Sequence, residues 1–383
     1  MTGSASTSAS PATDPLIGRL SVAMSIFDSV GNPHYSGGGP VVVHEIASRL
    51  ARDYDVVVYT ASYRGSRSGS RDGVRYVHLP VGWAGPRGGQ LLFQLLLPFA
   101  AGLGRQAAWI ETLTPPVSAS LLPLFSRRPV IALVQMLSGA DMARKYKLPF
   151  HLVERRALRL YKHFIALNET DREVIARYAG QATCEVIPNG AYRPALGDDD
   201  FGGGDHLLYL GRIDVEQKGL DLLLAAIRRS PPGMPLVIAG SGTAVEERKL
   251  RRLAEAAGSG VVLAGRVTGA EKDRLMRTSA AMIVPSRYET FSLSALEAMA
   301  YGKPVVHFDL PQLTWIGDDC AIVVPAYDVD ALGRAMRDLA GDPARRESLG
   351  RRGYTRSLDH DWDVLGDRYR NVLEKVLGYR SGK

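Results

Sequence analysis

Two glutamates, Glu289 and Glu297, are the residues of this chain whose types and spacing first indicate chemistry. Glu289 follows an apolar, strand-like run, whereas Glu297 lies in a segment that is otherwise almost wholly apolar. Leu293, Leu296 and Ala300 share the face of the predicted helix on which Glu297 lies. We therefore expect Glu297 to lie among buried neighbours, where a carboxylate needs a polar or charged partner.

Two cations precede this pair in the chain. Arg212 follows a predicted strand, and Lys218 comes just before a predicted helix at residues 220–228. The helix macrodipole disfavours a cation at that end, so this placement favours a bound anion held by the helix N-terminus and the basic side chains together. Taken alone, Lys218 is more typical of an exposed lysine in a loop. Arg212 and the downstream glutamates favour a phosphate site.

Two turns are suited to binding a ligand closely. The first leads into the helix after Glu289 and would present free backbone N–H groups, those of Thr290, Phe291, Ser292 and Leu293. The second contains Gly37 and Gly38, where the absence of Cβ atoms lets the backbone approach a ligand. This turn lacks the GxGxxG and P-loop patterns, which argues against an NAD-dependent or P-loop enzyme.

Length and composition indicate a globular chain with anionic partners. The 383 residues are too many for one ordinary core and suggest two domains. A net charge of +7 favours phosphates or an acidic membrane surface, and no nucleic-acid-binding motif accompanies it. Cys184 and Cys320 are the only cysteines, which predicts no disulfide framework, no zinc site and a cytoplasmic location.

Two segments bear on membrane contact. The apolar run from Leu91 to Leu103 is interrupted by Gln94, Pro98 and Gly102 and is too short to span a bilayer. It predicts a buried helix, with a membrane-contacting helix as the alternative. Residues 1–15 have neither the basic nor the apolar region of a secretory signal, and we expect a disordered tail there.

The second segment, residues 144–163, is strongly basic. The pattern of apolar and basic residues in its second part predicts an amphipathic helix. The inward side chains of this helix would be Leu152, Leu158, Tyr161 and Phe164. Its basic face is either solvated or in peripheral contact with an anionic membrane or a phosphate-bearing acceptor.

Short apolar runs alternate with helical patterns along nearly the whole chain. The predicted strands are residues 20–27, 56–60, 75–79, 108–111, 130–135, 164–167 and 185–187, then 207–210, 236–239, 261–264, 281–284, 305–308 and 321–324. Alternation of this kind predicts an α/β fold with two Rossmann-like, doubly wound parallel-sheet domains facing each other across a cleft.

The predicted domain boundary falls in a Pro-, Gly- and Asp-rich stretch, residues 188–205. It separates an N-terminal domain at 16–192, expected to bind the acceptor, from a C-terminal domain at 193–358, expected to bind a nucleotide-sugar donor. A final helix occupies 359–383, and the sequence does not indicate which domain it packs against.

Taken together, the motifs of the second half resemble the retaining, family 4 type of GT-B glycosyltransferase. The matching residues are Gly211-Arg212, Lys218-Gly219, Gly240-Ser241-Gly242, Gly265-Arg266-Val267, Pro285-Ser286, Glu289, Phe291, Leu296-Glu297 and Gly302-Lys303-Pro304. The match is dense over about residues 206–340 and sparser in the first half, at Gly37-Gly38 and residues 187–190. Each motif alone is common, whereas their combination is specific.

The resemblance implies roles for the charged residues. Arg212 and Lys218 would hold the diphosphate of a nucleotide-sugar donor. Glu289 would face the donor sugar ring, and Glu297 would accept hydrogen bonds from the ribose hydroxyls.

The resemblance also implies roles for the turns. Backbone N–H groups near Phe291 and Ser292 would contact the sugar hydroxyls and the distal phosphate. Arg266 and Val267 would lie near the base. Gly37 and Gly38 would form a loop that closes over the phosphates.

Two departures from the family pattern stand out. Many relatives carry a histidine near the end of a first-domain strand, where this chain has Gln135; His34 and His44, near the glycine turn, are poor substitutes. The usual Glu-x-Phe-Gly of the family ends here in Ser292, which a permissive backbone angle would allow. Asn168 matches a glycosylation acceptor pattern, but a helix N-cap is the better interpretation.

The leading hypothesis is a retaining glycosyltransferase that moves a sugar from a nucleotide-diphosphate sugar to a glycan, lipid-linked or small-molecule acceptor. We expect no metal and no bound cofactor, since arginine and lysine neutralise the diphosphate. A non-catalytic nucleotide-sugar-binding partner subunit is the alternative from another class. A GT-B-fold epimerase or phosphorylase is the third.

Overall fold

The computed structural model describes residues 19–32, 37–114, 120–137 and 149–378, together with Gly139, Ala143 and Lys147. The tail expected at residues 1–15, His34 and most of residues 138–148 lie outside this range.

The first sheet contains strands β1 to β8. Their bounds are Ser21–Ser25, Asp55–Ala61, Gly69–Arg71, Val74–Leu79, Ala108–Leu113, Val130–Val134, His163–Ala166 and Thr183–Val186. The order across the sheet is β3-β4-β2-β1-β5-β6-β7-β8. All neighbours are parallel except β3, which is antiparallel to β4.

The second sheet contains strands β9 to β14. Their bounds are His206–Leu210, Leu236–Ala239, Val261–Gly265, Ser279–Val284, Val305–Phe308 and Ala321–Val324. All pairs are parallel, and the order is β11-β10-β9-β12-β13-β14. Because the connection reverses direction between β9 and β12, the carboxyl ends of these two strands form the crevice where open α/β sheets bind ligands.

Twelve α-helices connect or cover the strands in the described part of the chain. Helices α1 to α5 are Gly39–Leu50, Gly85–Leu103, Leu122–Phe125, Phe150–Leu158 and Glu169–Ala179. Helices α6 to α12 are Leu220–Arg229, Ala244–Ala257, Gly269–Thr278, Leu293–Ala300, Val329–Ala340, Pro343–Ser357 and Trp362–Leu377. The two parallel-sheet α/β domains predicted from the alternating pattern are confirmed.

Each strand predicted from the sequence is present, with ends that differ by a few residues at most. The strand that the sequence did not reveal is β3, whose three residues are all exposed and therefore carry no apolar signal. A two-residue turn joins it to β4. Both turn residues have positive φ, 51° at Asp72 and 78° at Gly73, and Asp-Gly is the sequence signal for such a hairpin.

The first sheet has one hydrophobic core on each face. Alternate residues of β1 divide between them, with Val22 and Met24 in one core and Ala23 in the other, as the two-residue period of a strand requires. The last helix, α12, contributes Trp362 and Tyr369 to the same core as Val22. The chain therefore returns to its first sheet after completing the second. The boundary between residues 192 and 193 stays a prediction.

Two predictions about helices are corrected. The run at residues 91–103 belongs to α2, which is buried on one side only: Leu91, Leu95, Phe99 and Leu103 are exposed on the other side. The basic helix α4 ends at Leu158, so Tyr161 and Phe164 are buried beyond it rather than on it. Leu152, expected to face inward, is exposed, since α4 buries only a narrow strip at its C-terminal end.

A buried carboxyl group lies in β5, in the middle of the first sheet. Glu111 is fully buried, and its Oε2 atom accepts a hydrogen bond of 2.8 Å from the hydroxyl of Tyr161. Its Oε1 atom has no hydrogen-bond partner among the described residues. Burial raises the pKa of Glu111 to about 7, although hydrogen bonds from Ser120 and Tyr161 oppose the shift. The native state therefore holds this proton more tightly than the unfolded chain does.

We predict that Glu111→Gln removes a pH-dependent loss of stability. The wild type loses stability as pH rises from the ordinary pKa of 4.5 to the folded value of about 7, and the loss amounts to ~3 kcal/mol. Relative to the wild type, the free energy of unfolding of the variant should increase by about 2–3 kcal/mol from pH 5 to pH 8, as measured by urea unfolding. Replacement of the exposed Glu173 by Gln is the control, and a pH-independent difference for Glu111→Gln would contradict the prediction.

Candidate functional site

The centre of the candidate site is an ion pair between Lys218 and Glu289. The Lys218 Nζ atom lies 2.6 Å from Glu289 Oε1, and Ser286 donates a hydrogen bond of 2.8 Å to the same oxygen. Lys218 follows β9 and Glu289 follows β12, so the pair lies at the reversal point of the second sheet. Both side chains are largely buried, which strengthens the charge–charge interaction relative to water.

Close packing of two loops brings this pair together. Gly219 has φ of +62°, and a Cβ atom there would lie 1.8 Å from the carbonyl oxygen of Pro285. No other residue type fits that contact. Glycine at this position therefore lets the Lys218 loop lie directly against the strand end that carries Ser286 and Glu289.

Arg287 clamps the same two loops. Its guanidinium binds both carboxylate oxygens of Asp221, at 2.7 and 2.8 Å, and donates to the carbonyl of Glu216 at 2.8 Å. Hydrogen bonds from Arg287 hold the pKa of Asp221 below its usual value despite partial burial. Arg287 was not singled out from the sequence, because its role depends on a partner on another element.

Arg212 lies near the start of the loop that also carries Lys218, and its side chain is partly exposed. Its guanidinium donates to Asp214 at 3.2 Å and to the side chain of Gln217 at 2.6 Å. Beneath it, the buried hydroxyl of Tyr209 donates to the Arg212 carbonyl at 2.8 Å. Burial raises the pKa of Tyr209, and the negative charge of Glu289 adds to the effect. Asp214 and Gln217 thus hold the Arg212 guanidinium near the ion pair, and a bound anion could replace them as its partners.

Glu297 has a cationic partner, in agreement with the expectation from the sequence. Its carboxylate is less buried than expected. Lys272 Nζ lies 2.6 Å from its Oε1 atom, and the two side chains remain 34% and 29% exposed. Lys272 was missed in the sequence. It lies at the start of α8, where the macrodipole disfavours a cation, so the signal that singled out Lys218 was present there too.

The turn after Glu289 is held by hydrogen bonds to its backbone. Asn168 donates to the carbonyl of Thr290 at 2.9 Å, and Trp315 donates to the carbonyl of Phe291 at 2.8 Å. The Phe291 and Trp315 rings stack with centroids 4.3 Å apart. Asn168 also caps α5, which confirms the interpretation made from the sequence. These contacts fix the direction in which the backbone N–H groups at the start of α9 point.

The first sheet meets this turn at its own carboxyl edge. A Cβ atom on Gly38 would lie 2.2 Å from Leu293 Cδ1, so the glycine turn lies against the start of α9. The hydroxyl of Tyr288 donates to the carbonyl of Leu137 at 2.7 Å. Gly37 immediately precedes this contact, next to residues that the structure does not describe. The glycine turn thus lies directly against the second-domain turn.

The remaining predicted base-site residues follow β11. Val267 is buried, while Arg266 is exposed and has interactions of its own. Strand β11 lies two positions from β9 in the sheet, so both residues lie at the same carboxyl edge as Arg212 but further from the ion pair.

The position of the expected histidine is occupied by an amide pair. Gln135 follows β6, and its side-chain amide exchanges two hydrogen bonds of 3.4 Å with that of Asn189. His44 bonds instead to Tyr76 at 2.7 Å and Asp72 at 3.1 Å, beside the β3–β4 hairpin. The ring nitrogens of His44 are thus hydrogen-bonded to residues of this hairpin.

Comparison with known families accounts for most of the chain. Residues 204–342 match the model of the glycosyl transferases group 1, and residues 37–190 match a glycosyl transferase 4-like domain. The chain belongs to the group 1 glycosyltransferases. The resemblance noted from the motifs is therefore confirmed at the level of the family.

Curated members of the family match part of the chain. Glycogen synthase of Mycobacterium tuberculosis (strain ATCC 25618 / H37Rv) is 30% identical over 230 residues, which is 56% of this chain and 54% of that protein. Phosphatidyl-myo-inositol mannosyltransferase of Mycolicibacterium smegmatis is 30% identical over 225 residues, 56% of this chain and 57% of that protein. The chain thus spans little more than half the length of these relatives.

Solved structures of the same fold cover nearly all of the chain. Sucrose-phosphate synthase from Thermosynechococcus elongatus superposes with a TM-score of 0.77 at 20% identity, covering 94% of this chain and 100% of that one. Anabaena HepE in complex with UDP-glucose superposes with a TM-score of 0.73 at 16% identity, covering 93% and 100%. At these identities the likeness shows the GT-B fold.

The departure from the family pattern at Ser292 has a structural cost. Ser292 has φ of 64° and ψ of 82°, in the left-handed region, and its side chain makes no capping hydrogen bond to the helix. Its hydroxyl contacts that of Ser294 at 3.4 Å. The backbone therefore keeps the conformation that glycine adopts most easily, and serine carries the strain.

We predict that Ser292→Gly stabilises the protein. A side chain in the left-handed region costs about 1–2 kcal/mol, and the greater freedom of glycine in the unfolded chain offsets about 0.5–1 kcal/mol of that gain. The free energy of unfolding should therefore rise by about 0.5–1 kcal/mol, measured by urea unfolding.

Ser294→Gly is the matched control, because Ser294 lies within α9 in ordinary helical geometry. It should lower the free energy of unfolding by up to about 1 kcal/mol. A loss of stability in Ser292→Gly as large as that of the control would show that the backbone is not strained there.

Proposed function

We propose that this chain transfers a sugar from a nucleotide-diphosphate sugar to an acceptor hydroxyl, with retention at the anomeric carbon. The observation that carries the proposal is the buried pair of Lys218 and Glu289 at the reversal point of the second sheet. A cation there suits a diphosphate, and the adjoining start of α9 offers backbone N–H groups to the same ligand. The acceptor would be a glycan, a lipid-linked sugar or a small molecule.

The charges support this assignment. Cleavage of the bond between the anomeric carbon and the phosphate oxygen leaves negative charge on the diphosphate and positive charge on the sugar. Arg212 and Lys218 would stabilise the diphosphate, while Glu289, 2.6 Å from Lys218, would lie beside the cationic ring. Because the two cations supply this charge, the proposal includes neither a metal nor a bound cofactor.

Retention follows if the acceptor attacks from the side that the phosphate leaves. The acceptor oxygen bonds to the anomeric carbon, the carbon–phosphate oxygen bond breaks, and the acceptor proton passes to the departing phosphate oxygen. This route needs no protein base, which agrees with the pairing of Gln135 and Asn189 where a histidine is common in the family.

Glu297 would bind the ribose hydroxyls of the donor. Its carboxylate is paired with Lys272 yet 29% exposed, so a hydroxyl pair has access to its second oxygen. Arg266 and Val267, at the end of the same sheet edge, would lie beside the base. Gly37 and Gly38 would cover the phosphates from the first domain.

We predict that Arg212→Ala and Lys218→Ala each lower kcat by about 100- to 1,000-fold. Each variant loses one fixed charge that stabilises the leaving diphosphate. The measurement is sugar transfer, or donor hydrolysis, by the purified full chain under donor saturation.

Lys249→Ala, a change at an exposed lysine on α7, is the matched control and should keep full turnover. Thermal melting separates lost chemistry from lost fold, which matters for Lys218 because its removal leaves Glu289 buried without its cation. Turnover at the wild-type level in both site variants would exclude the proposed role. Binding of donor without any turnover by the wild type would favour a non-catalytic subunit.

We predict that one nucleotide class raises the melting temperature of the wild type and not of Lys218→Ala. A ligand at 100 times its Kd adds about 2.7 kcal/mol to the stability of the native state. A thermal-shift panel of UDP-, GDP- and dTDP-sugars would identify the base. Equal shifts in the wild type and the variant would place the nucleotide elsewhere.

A further inference from the structure

Helix α2 has apolar side chains on two opposite sides, although it lies at the surface. Phe93 and Leu97 are buried against the first sheet. On the other side, Leu91, Leu95 and Phe99 recur every four residues and are exposed, Phe99 to 70% and Leu103, one turn further, to 89%. A helix that is apolar all round is ordinarily covered on every side.

A second short helix extends this apolar surface. Helix α3 contacts α2 and buries Leu122 in the same core as Phe93. Leu121, Leu124 and Phe125 are exposed beside it. We call the exposed side chains of these two helices the apolar face: Leu91, Leu95, Phe99, Leu103, Leu121, Leu124 and Phe125. A cluster of exposed apolar side chains on two helices in contact indicates an interaction site.

Positive charge borders the apolar face at one end. Arg105 follows α2, and Arg127 and Arg128 follow α3; all three are exposed. They precede β5 and β6, which are neighbours in the sheet with Trp109 paired to Val130, so the arginines lie at the same sheet edge. Glu111 is the only acidic residue between positions 80 and 128, and it is buried.

We propose that the apolar face docks on an anionic lipid bilayer. Its leucines and phenylalanines would enter the boundary between headgroups and acyl chains, while Arg105, Arg127 and Arg128 would bind lipid phosphates. The charge pattern favours lipid over a second copy of this chain, because residues 80–128 offer no exposed carboxylate that could pair with the arginines of another copy. No helix of the described residues is long and apolar enough to cross a bilayer. The proposed contact is peripheral.

We favour this surface over the basic segment 144–163 as the membrane-binding element. Helix α4 combines Arg155 and Arg156 with the exposed Leu152 and Val153, but these are two exposed apolar side chains against the seven of the apolar face. Docking through the apolar face requires no turnover. Its test is therefore independent of the proposed function.

The experiment is co-sedimentation of the full chain with vesicles. Equal parts of phosphatidylcholine and phosphatidylglycerol form the anionic vesicle, and phosphatidylcholine alone forms the neutral one. The wild type should bind the anionic vesicle at low salt, more weakly at moderate salt, and the neutral vesicle least. Phe99→Ser with Leu103→Ser should lower binding to anionic vesicles about tenfold or more, whereas Arg127→Ser with Arg128→Ser should lower it about tenfold and reduce the salt dependence.

The matched control is Val245→Ser with Val262→Ser, which removes exposed valines from the second domain and should leave binding unchanged. Thermal melting checks that each variant is folded. Absence of vesicle binding by the wild type at either salt concentration overturns the proposal. So does loss of binding in Arg155→Ser with Arg156→Ser while the Phe99/Leu103 variant and the Arg127/Arg128 variant both bind normally. A concentration-dependent dimer that the Phe99/Leu103 variant abolishes would instead assign the surface to a second copy.

Discussion

The buried ion pair of Lys218 and Glu289 is the interaction on which the candidate site depends. The two residues are 71 positions apart and meet only because β9 and β12 are adjacent in the second sheet. Two charges taken out of water are tolerated when each satisfies the other and additional hydrogen bonds, here from Ser286, complete the contacts. Gly219 and Arg287 serve this pairing, since the first permits the close approach of the loops and the second holds them in place.

The first domain acts on the site through backbone contacts. Asn168 binds the carbonyl of Thr290, and Leu137 accepts a hydrogen bond from Tyr288. Gly38 packs directly on Leu293. These contacts orient the main chain at the start of α9. The strained conformation of Ser292 fits this picture, because neighbouring contacts hold the backbone there whatever the residue.

Helix α2 shows that apolar content does not determine which side of a helix is buried. Its sequence predicts a buried helix, yet one apolar side covers the first sheet and the other is exposed. The short α3 lies alongside it and adds to the exposed apolar area. The exposure depends on how many other elements pack over α2, which is a property of the connections and not of its own residues.

The sequence alone determined the features that arise from near neighbours. Alternating apolar runs specify parallel strands and covering helices, and Asn168 specifies a helix cap within three residues of itself. Local position also indicated the site. Each of its motif residues has an unusual place relative to its own strand or helix: Arg212, Lys218, Glu289 and Glu297. The family followed from their combination.

The tertiary structure decided which distant groups meet. The pairing of Lys272 with Glu297, the clamp of Arg287 on Asp221 and the return of α12 to the first sheet each depend on strand order and packing. The positive φ of Ser292 likewise follows from contacts with other elements. Interactions between residues three or four positions apart can be predicted from local spacing. Contacts between remote segments depend on the arrangement of the whole chain, so no local pattern predicts them.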